Sequence, residues 1–77
     1  MSKELDNYRK ALALTGVKKP FFWRKNSPTK YTFIVDFETS DEYYLMVIVE
    51  NGRVLGSGNI FMELFNCIGW EHQEPKG

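Results

Sequence analysis

The dipeptide Asn51-Gly52 stands between two apolar, β-prone runs of the chain, 43–50 and 53–57. A two-residue type I′ turn needs a positive φ at both central positions, which Asn tolerates and Gly adopts freely. The dipeptide therefore predicts a β-hairpin. Its register pairs Glu50 with Arg53, Val49 with Val54 and Ile48 with Leu55.

A second hairpin is predicted upstream, with a strand over 30–38 and a turn over 39–42. Counting from that turn pairs Phe37 with Tyr44, Val35 with Met46 and Phe33 with Ile48. Side chains alternate along a strand, so these residues and Leu55 form one apolar face. The reverse face is polar at one end and aliphatic at the other. It holds Thr32, Ile34, Asp36, Glu38, Tyr43, Leu45, Val47, Val49 and Val54.

Helices are predicted on both sides of these strands. Ser2 can cap a first helix that carries Leu5, Tyr8 and Leu12 on one stripe, and Gly16 can end it. A second helix is expected from Asn59 to Ile68, followed by Gly69. Its inward stripe holds Ile60, Phe61, Leu64 and Ile68.

The expected fold is α+β, with the order α-β-β-β-β-α. A three- to four-stranded antiparallel meander has an N-terminal and a C-terminal helix, which lie mainly on one sheet face. A short edge strand over 21–24 opens the meander. Residues 1–70 form the single domain, and residues 71–77 form a flexible polar tail.

This order resembles the double-stranded-RNA-binding domain in outline. That family places a lysine cluster at the start of its second helix, whereas the matching segment here reads Gly-Asn-Ile-Phe-Met-Glu over 58–63. The resemblance therefore implies a topology and does not imply RNA binding.

Composition narrows the classes of function. Ten basic residues balance ten acidic ones, so no net charge drives binding to nucleic acid or to an anionic membrane. Cys67 is the single cysteine, which excludes an internal disulfide and suits a reducing compartment. The N-terminus does not read as a signal peptide, and no apolar run reaches the roughly 20 residues of a membrane span. We expect a soluble, cytoplasmic protein.

Catalytic chemistry has little support in the sequence. The only histidine, His72, falls in the expected tail, and Cys67 falls in the most apolar predicted helix, where a buried apolar role is expected. Asp36 and Glu38 share a face and could form a carboxylate pair, but a solvated surface is the more common use of such a pair. We expect no enzymatic activity, no cofactor and no metal site.

Surplus apolar surface points to protein binding. One sheet buries one face under two short helices, so the aliphatic half of the other face and the outer side of the last helix need a cover. The first helix could supply it; otherwise the cover is another protein or a second copy in a homodimer. The candidate interface consists of Ile34, Leu45, Val47, Val49, Val54, Met62, Phe65 and Trp70. A small module of this kind could inhibit or redirect a host factor, as phage and mobile-element accessory proteins do.

The alternative function is binding of single-stranded or non-specific nucleic acid. The segment 18–30 interleaves cations with aromatic rings, and bases stack on such rings while cations follow the phosphates. The candidate residues are Lys18, Lys19, Phe22, Trp23, Arg24, Lys25 and Lys30.

Overall fold

A four-stranded antiparallel sheet and one helix make up the part of the chain that the structure describes. The computed structural model describes residues 3–37, 43–61 and 69–76, without the side chains of 37, 43 and 59–61. The elements are α1 (Lys3–Ala13), β1 (Phe22–Ser27), β2 (Lys30–Phe37), β3 (Tyr43–Glu50) and β4 (Arg53–Phe61). The strand order in the sheet is β1-β2-β3-β4, so the predicted meander is confirmed.

Helix α1 follows the predicted stripe. Tyr8 and Leu12 are buried and Leu5 packs against the same cluster. Acidic residues in the first turn and Lys10 in the last turn suit the helix dipole. The helix ends where Gly16 has a φ of 76° and its N–H donates to the Ala13 carbonyl at 3.2 Å. The predicted cap, Ser2, lies outside the described residues.

The turn between β3 and β4 is the predicted one. Asn51 and Gly52 have φ values of 52° and 78°, and Val49 pairs with Val54. The prediction for the next pair was wrong. Ile48 pairs with Gly56, because Leu55 is an extra residue that bulges out of the ladder.

A second bulge changes the register between β2 and β3. Phe37 pairs with Tyr44 as predicted, but Ile34 pairs with Met46 and Phe33 pairs with Val47. Val35 is the extra residue in β2. One extra residue moves every later side chain to the opposite face. Each face that was predicted from strict alternation therefore combines residues that lie on opposite faces of the observed sheet.

Two clusters of buried residues occupy the two faces. The face under α1 holds the larger cluster, which includes Tyr8, Ala11, Leu12, Trp23, Tyr31, Phe33, Val47 and Val49. The reverse face holds Ile34 and Tyr44, with Phe22, Met46 and Trp70 packed around them. The sequence left open whether the first helix or a binding partner covers Val47 and Val49. In the structure, α1 covers both residues.

The predicted C-terminal helix is not shown. Strand β4 continues through Asn59, Ile60 and Phe61, which pair with residues 45, 44 and 43 of β3, so the helix does not begin at Asn59. Tertiary pairing with β3 overrides the local capping preference of Asn59. The remainder of the predicted helix, 62–68, lies outside the described residues.

The C-terminal segment lies against β1. Glu71 and Trp23 exchange two backbone hydrogen bonds of 2.8 Å, which form an isolated antiparallel bridge. The Arg9 Nε donates to a Glu74 carboxylate oxygen at 3.1 Å. Residues 71–74 are thus hydrogen-bonded to the domain, in contrast with the flexible polar tail that was predicted for 71–77.

Candidate interaction surfaces

The residues of the interface that was predicted from the sequence do not share one surface: some are buried and others are exposed. Ile34, Val47 and Val49 are buried within the chain, so they have no surface to offer a partner. Leu45 and Trp70 are half-buried, and Val54 is 45% exposed. Met62 and Phe65 lie outside the described residues. Val47 and Val49 lie in the cluster under α1, and Ile34 lies in the cluster on the reverse face of the sheet.

The outer edge of β4 is the most exposed apolar stretch of the sheet. Leu55 is 52% exposed beside Val54, and residues 53–57 are all exposed. At Gly56 and Gly58 an added Cβ would meet no atom within 4 Å, so both positions border open space. Edge strands are usually protected by Lys, Pro or short length. Strand β4 spans nine residues and has neither lysine nor proline.

The reverse face of the sheet carries a smaller aromatic surface. Phe21 is exposed and meets Tyr44 edge to face at 6.5 Å between ring centroids. The Arg24 guanidinium lies 4.5 Å from the centroid of the Trp70 ring, as in a cation–π contact. Arg24 therefore covers part of the Trp70 ring.

The basic aromatic segment does not present its rings as the nucleic-acid hypothesis required. Trp23 is only 6% exposed and packs against Tyr8, with 4.8 Å between ring centroids. Its indole N–H is bound to the Gln73 carbonyl at 2.8 Å. The Trp23 ring is therefore not accessible to a stacking base. Phe22 is half-buried against the Ile34 cluster.

The cations of that segment are accessible. Lys18, Lys19, Arg24 and Lys25 are exposed and Lys30 is half-buried. Strand alternation sends Arg24 and Lys25 to opposite faces of β1. These two cations therefore do not lie on the same face of the strand.

A cleft of about 340 Å³ opens between α1 and the C-terminal segment. Tyr8, Leu12 and Pro20 form its buried floor, and Lys18, Lys19 and His72 line its exposed rim. We call it the Tyr8 cleft. No sequence signal pointed to it, because it depends on the docking of residues 71–74.

Two tyrosine hydroxyls have perturbed acidity. Burial, and secondly the Glu74 carboxylate, raises the pKa of Tyr8. Burial, and secondly Glu4, raises the pKa of Tyr31, whose buried hydroxyl oxygen has no hydrogen-bond partner among the described residues. Both phenols are therefore neutral donors near neutral pH.

The described residues do not include a cluster of side chains suited to metal binding. Within 3–37, 43–61 and 69–76, no three His, Cys, Asp or Glu residues are arranged to hold a metal ion. Asp36 is exposed, while Glu38 and Cys67 lie outside these ranges. In the same part of the chain, no helix has the length and apolar character needed to cross a membrane.

Comparisons with protein-family models, with curated proteins and with solved structures found no match to this chain. The function of the chain is therefore inferred from its residues and their geometry.

Proposed function

We propose that this chain is a small, non-enzymatic protein-binding module that receives its partner along the outer edge of β4. The observation that carries the proposal is the exposure of Val54 and Leu55 on a nine-residue terminal strand of the sheet. Exposed apolar edges of this length are uncommon on proteins without a partner.

The backbone of an edge strand supplies most of the binding chemistry in strand addition. Its outward N–H and C=O groups pair with an extended segment, and exposed side chains give specificity. Gly56 and Gly58 have no Cβ, so a partner's backbone or side chains can approach the sheet closely there. Leu55, which bulges out of the ladder, is the apolar anchor.

The partner is an extended segment of another protein or the β4 edge of a second copy. Sedimentation velocity over a range of concentrations separates the two, since only self-association raises the mass of the purified chain. Inhibition or redirection of a host factor stays a hypothesis that rests on the small size of the chain.

One substitution tests the surface. Leu55→Lys places a charge on the apolar edge and should leave the fold intact, because Leu55 is exposed. Phe21→Lys is the matched control, since Phe21 is 44% exposed and lies next to β1, at the opposite edge of the sheet from β4. We expect the first variant to lose the dimer or the proteins captured by the wild type, and the second to keep them. Equal binding by both variants would exclude the β4 edge as the contact surface.

A further inference from the structure

The Tyr8 cleft combines a buried floor with an exposed cationic rim. Lys18 and Lys19 project from the segment between α1 and β1, and His72 comes from the C-terminal segment on the other side. Its volume of about 340 Å³ lies at the lower end of the range for small-molecule sites. A cleft of this size suits a compact ligand.

The charges around the cleft favour an anion. Glu74 is the one acidic residue among the described residues that line the cleft, and Arg9 binds its carboxylate at 3.1 Å. The Arg9 charge offsets that of Glu74, so the two rim lysines leave the cleft with a positive balance. Exposed lysines of this kind attract phosphate as point charges rather than through a fixed geometry.

Tyr8 supplies a polar group on the floor. The residue is 1% exposed, and its ring packs against three other aromatic rings. Burial keeps this phenol protonated, so it can donate to an anion. Leu12 and Pro20 add apolar surface beside it.

We infer that the Tyr8 cleft binds a small molecule that carries a phosphate or similar oxyanion on a compact apolar body. The lysines attract the anion, the Tyr8 hydroxyl donates to it, and the apolar body contacts Leu12 and Pro20. The inference is independent of the β4 edge and of any protein partner.

The test uses the full-length, isotope-labelled chain titrated with inorganic phosphate and with phenyl phosphate in NMR experiments. Saturable shifts should appear at the backbone amides of 18–19 and 72–74, and phenyl phosphate should bind more tightly than inorganic phosphate because it adds apolar contact. Absence of saturation with both probes, or shifts spread evenly over all exposed lysines, would overturn the inference.

Matched variants separate the site from general charge. Lys18→Gln with Lys19→Gln should weaken phenyl phosphate binding about tenfold or more, whereas Lys3→Gln with Lys25→Gln removes equal charge elsewhere and should change it little. Tyr8→Phe keeps the packed ring and should weaken binding about tenfold. Tyr31→Phe is its control and should bind as the wild type does. Equal weakening by both lysine pairs would count as non-specific attraction and end the proposal.

A third probe separates a small molecule from a nucleic-acid backbone. Oligothymidylate without terminal phosphates should bind more weakly than phenyl phosphate at the same salt concentration. Tighter binding of the oligonucleotide through Lys18 and Lys19 would overturn the small-molecule assignment.

Discussion

The indole N–H of Trp23 donates a hydrogen bond of 2.8 Å to the backbone carbonyl of Gln73, a residue 50 positions further along the chain. The two backbone hydrogen bonds between Trp23 and Glu71 lie beside it. Together they attach the C-terminal segment to the edge of β1 and satisfy the one polar atom of the Trp23 side chain, which is buried in the α1 cluster.

Removal of residues 71–77 should destabilise the domain. The truncation leaves the Trp23 indole N–H without its partner and frees one edge of β1. We expect the free energy of unfolding to fall by about 2–4 kcal/mol, the sum of three hydrogen bonds of ordinary strength. Urea denaturation followed by tryptophan fluorescence measures the change. Removal of Lys76 and Gly77 alone is the control and should cost less than about 0.5 kcal/mol. Equal stability of the two truncated chains would show that residues 71–74 contribute nothing.

Gly52→Val should destabilise the β3–β4 hairpin. Gly52 has a φ of 78°, and a β-branched side chain resists positive φ, so we expect a cost of at least about 1 kcal/mol. Gly56→Ala is the control, because Gly56 has no positive φ and open space around its Cβ position. The control should be neutral or slightly stabilising. Thermal unfolding of both variants is the measurement, and an unchanged midpoint for Gly52→Val would contradict the turn.

Val47→Asp should unfold the chain. Val47 is 8% exposed and lies in the cluster beneath α1, where an unpaired carboxylate costs several kcal/mol. Val54→Asp introduces the same charge at a position that is 45% exposed and should remain folded. Circular dichroism distinguishes the two outcomes. A folded Val47→Asp protein that had lost a partner would return Val47 to the interface proposed from the sequence.

Much of the local structure was predictable because its signals are short-range. The Asn51-Gly52 turn and the stripe of Leu5, Tyr8 and Leu12 depend on residues within a few positions of each other. The two bulges were not predictable in this way. Val35 and Leu55 are apolar residues within apolar runs. The two-residue alternation of apolar and polar side chains therefore does not mark either one as the extra residue.

The candidate surfaces were less predictable than the fold. Exchange of the sheet faces at Val35 placed Val47 under α1, which removed it from the expected interface. The glycines at 56 and 58 are the sequence signal for an open edge of β4, because glycine in a strand often marks a site where another backbone can approach closely. The Tyr8 cleft has no local signal, since it joins α1 to residues 72–74.

Alkaline pH should lower the free energy of unfolding of the domain. The pKa of both Tyr8 and Tyr31 is raised above the ordinary value of 10.0 in the folded state. Above about pH 10 the unfolded chain loses these protons more readily than the folded one, so stability falls as pH rises towards the raised pKa values. Urea unfolding at pH 8 and at several values above 10 measures the slope. A Tyr8→Phe, Tyr31→Phe double variant should lose the part of the slope that these residues cause, and an unchanged slope would contradict the assignment.

Tyr31→Phe should stabilise the protein. The Tyr31 hydroxyl is buried and has no hydrogen-bond partner in the part of the chain that the structure describes. A buried polar atom without a hydrogen bond carries a desolvation cost of about 1–3 kcal/mol. Phenylalanine keeps the stacked contact with Phe33, at 5.9 Å between ring centroids, and removes only that oxygen. The small void left behind offsets part of the gain, so we expect a net gain of about 1 kcal/mol in the free energy of unfolding. Chemical denaturation measures it. A loss of stability would mean that the hydroxyl has a hydrogen-bond partner, such as a buried water molecule that joins it to the Glu4 carboxylate.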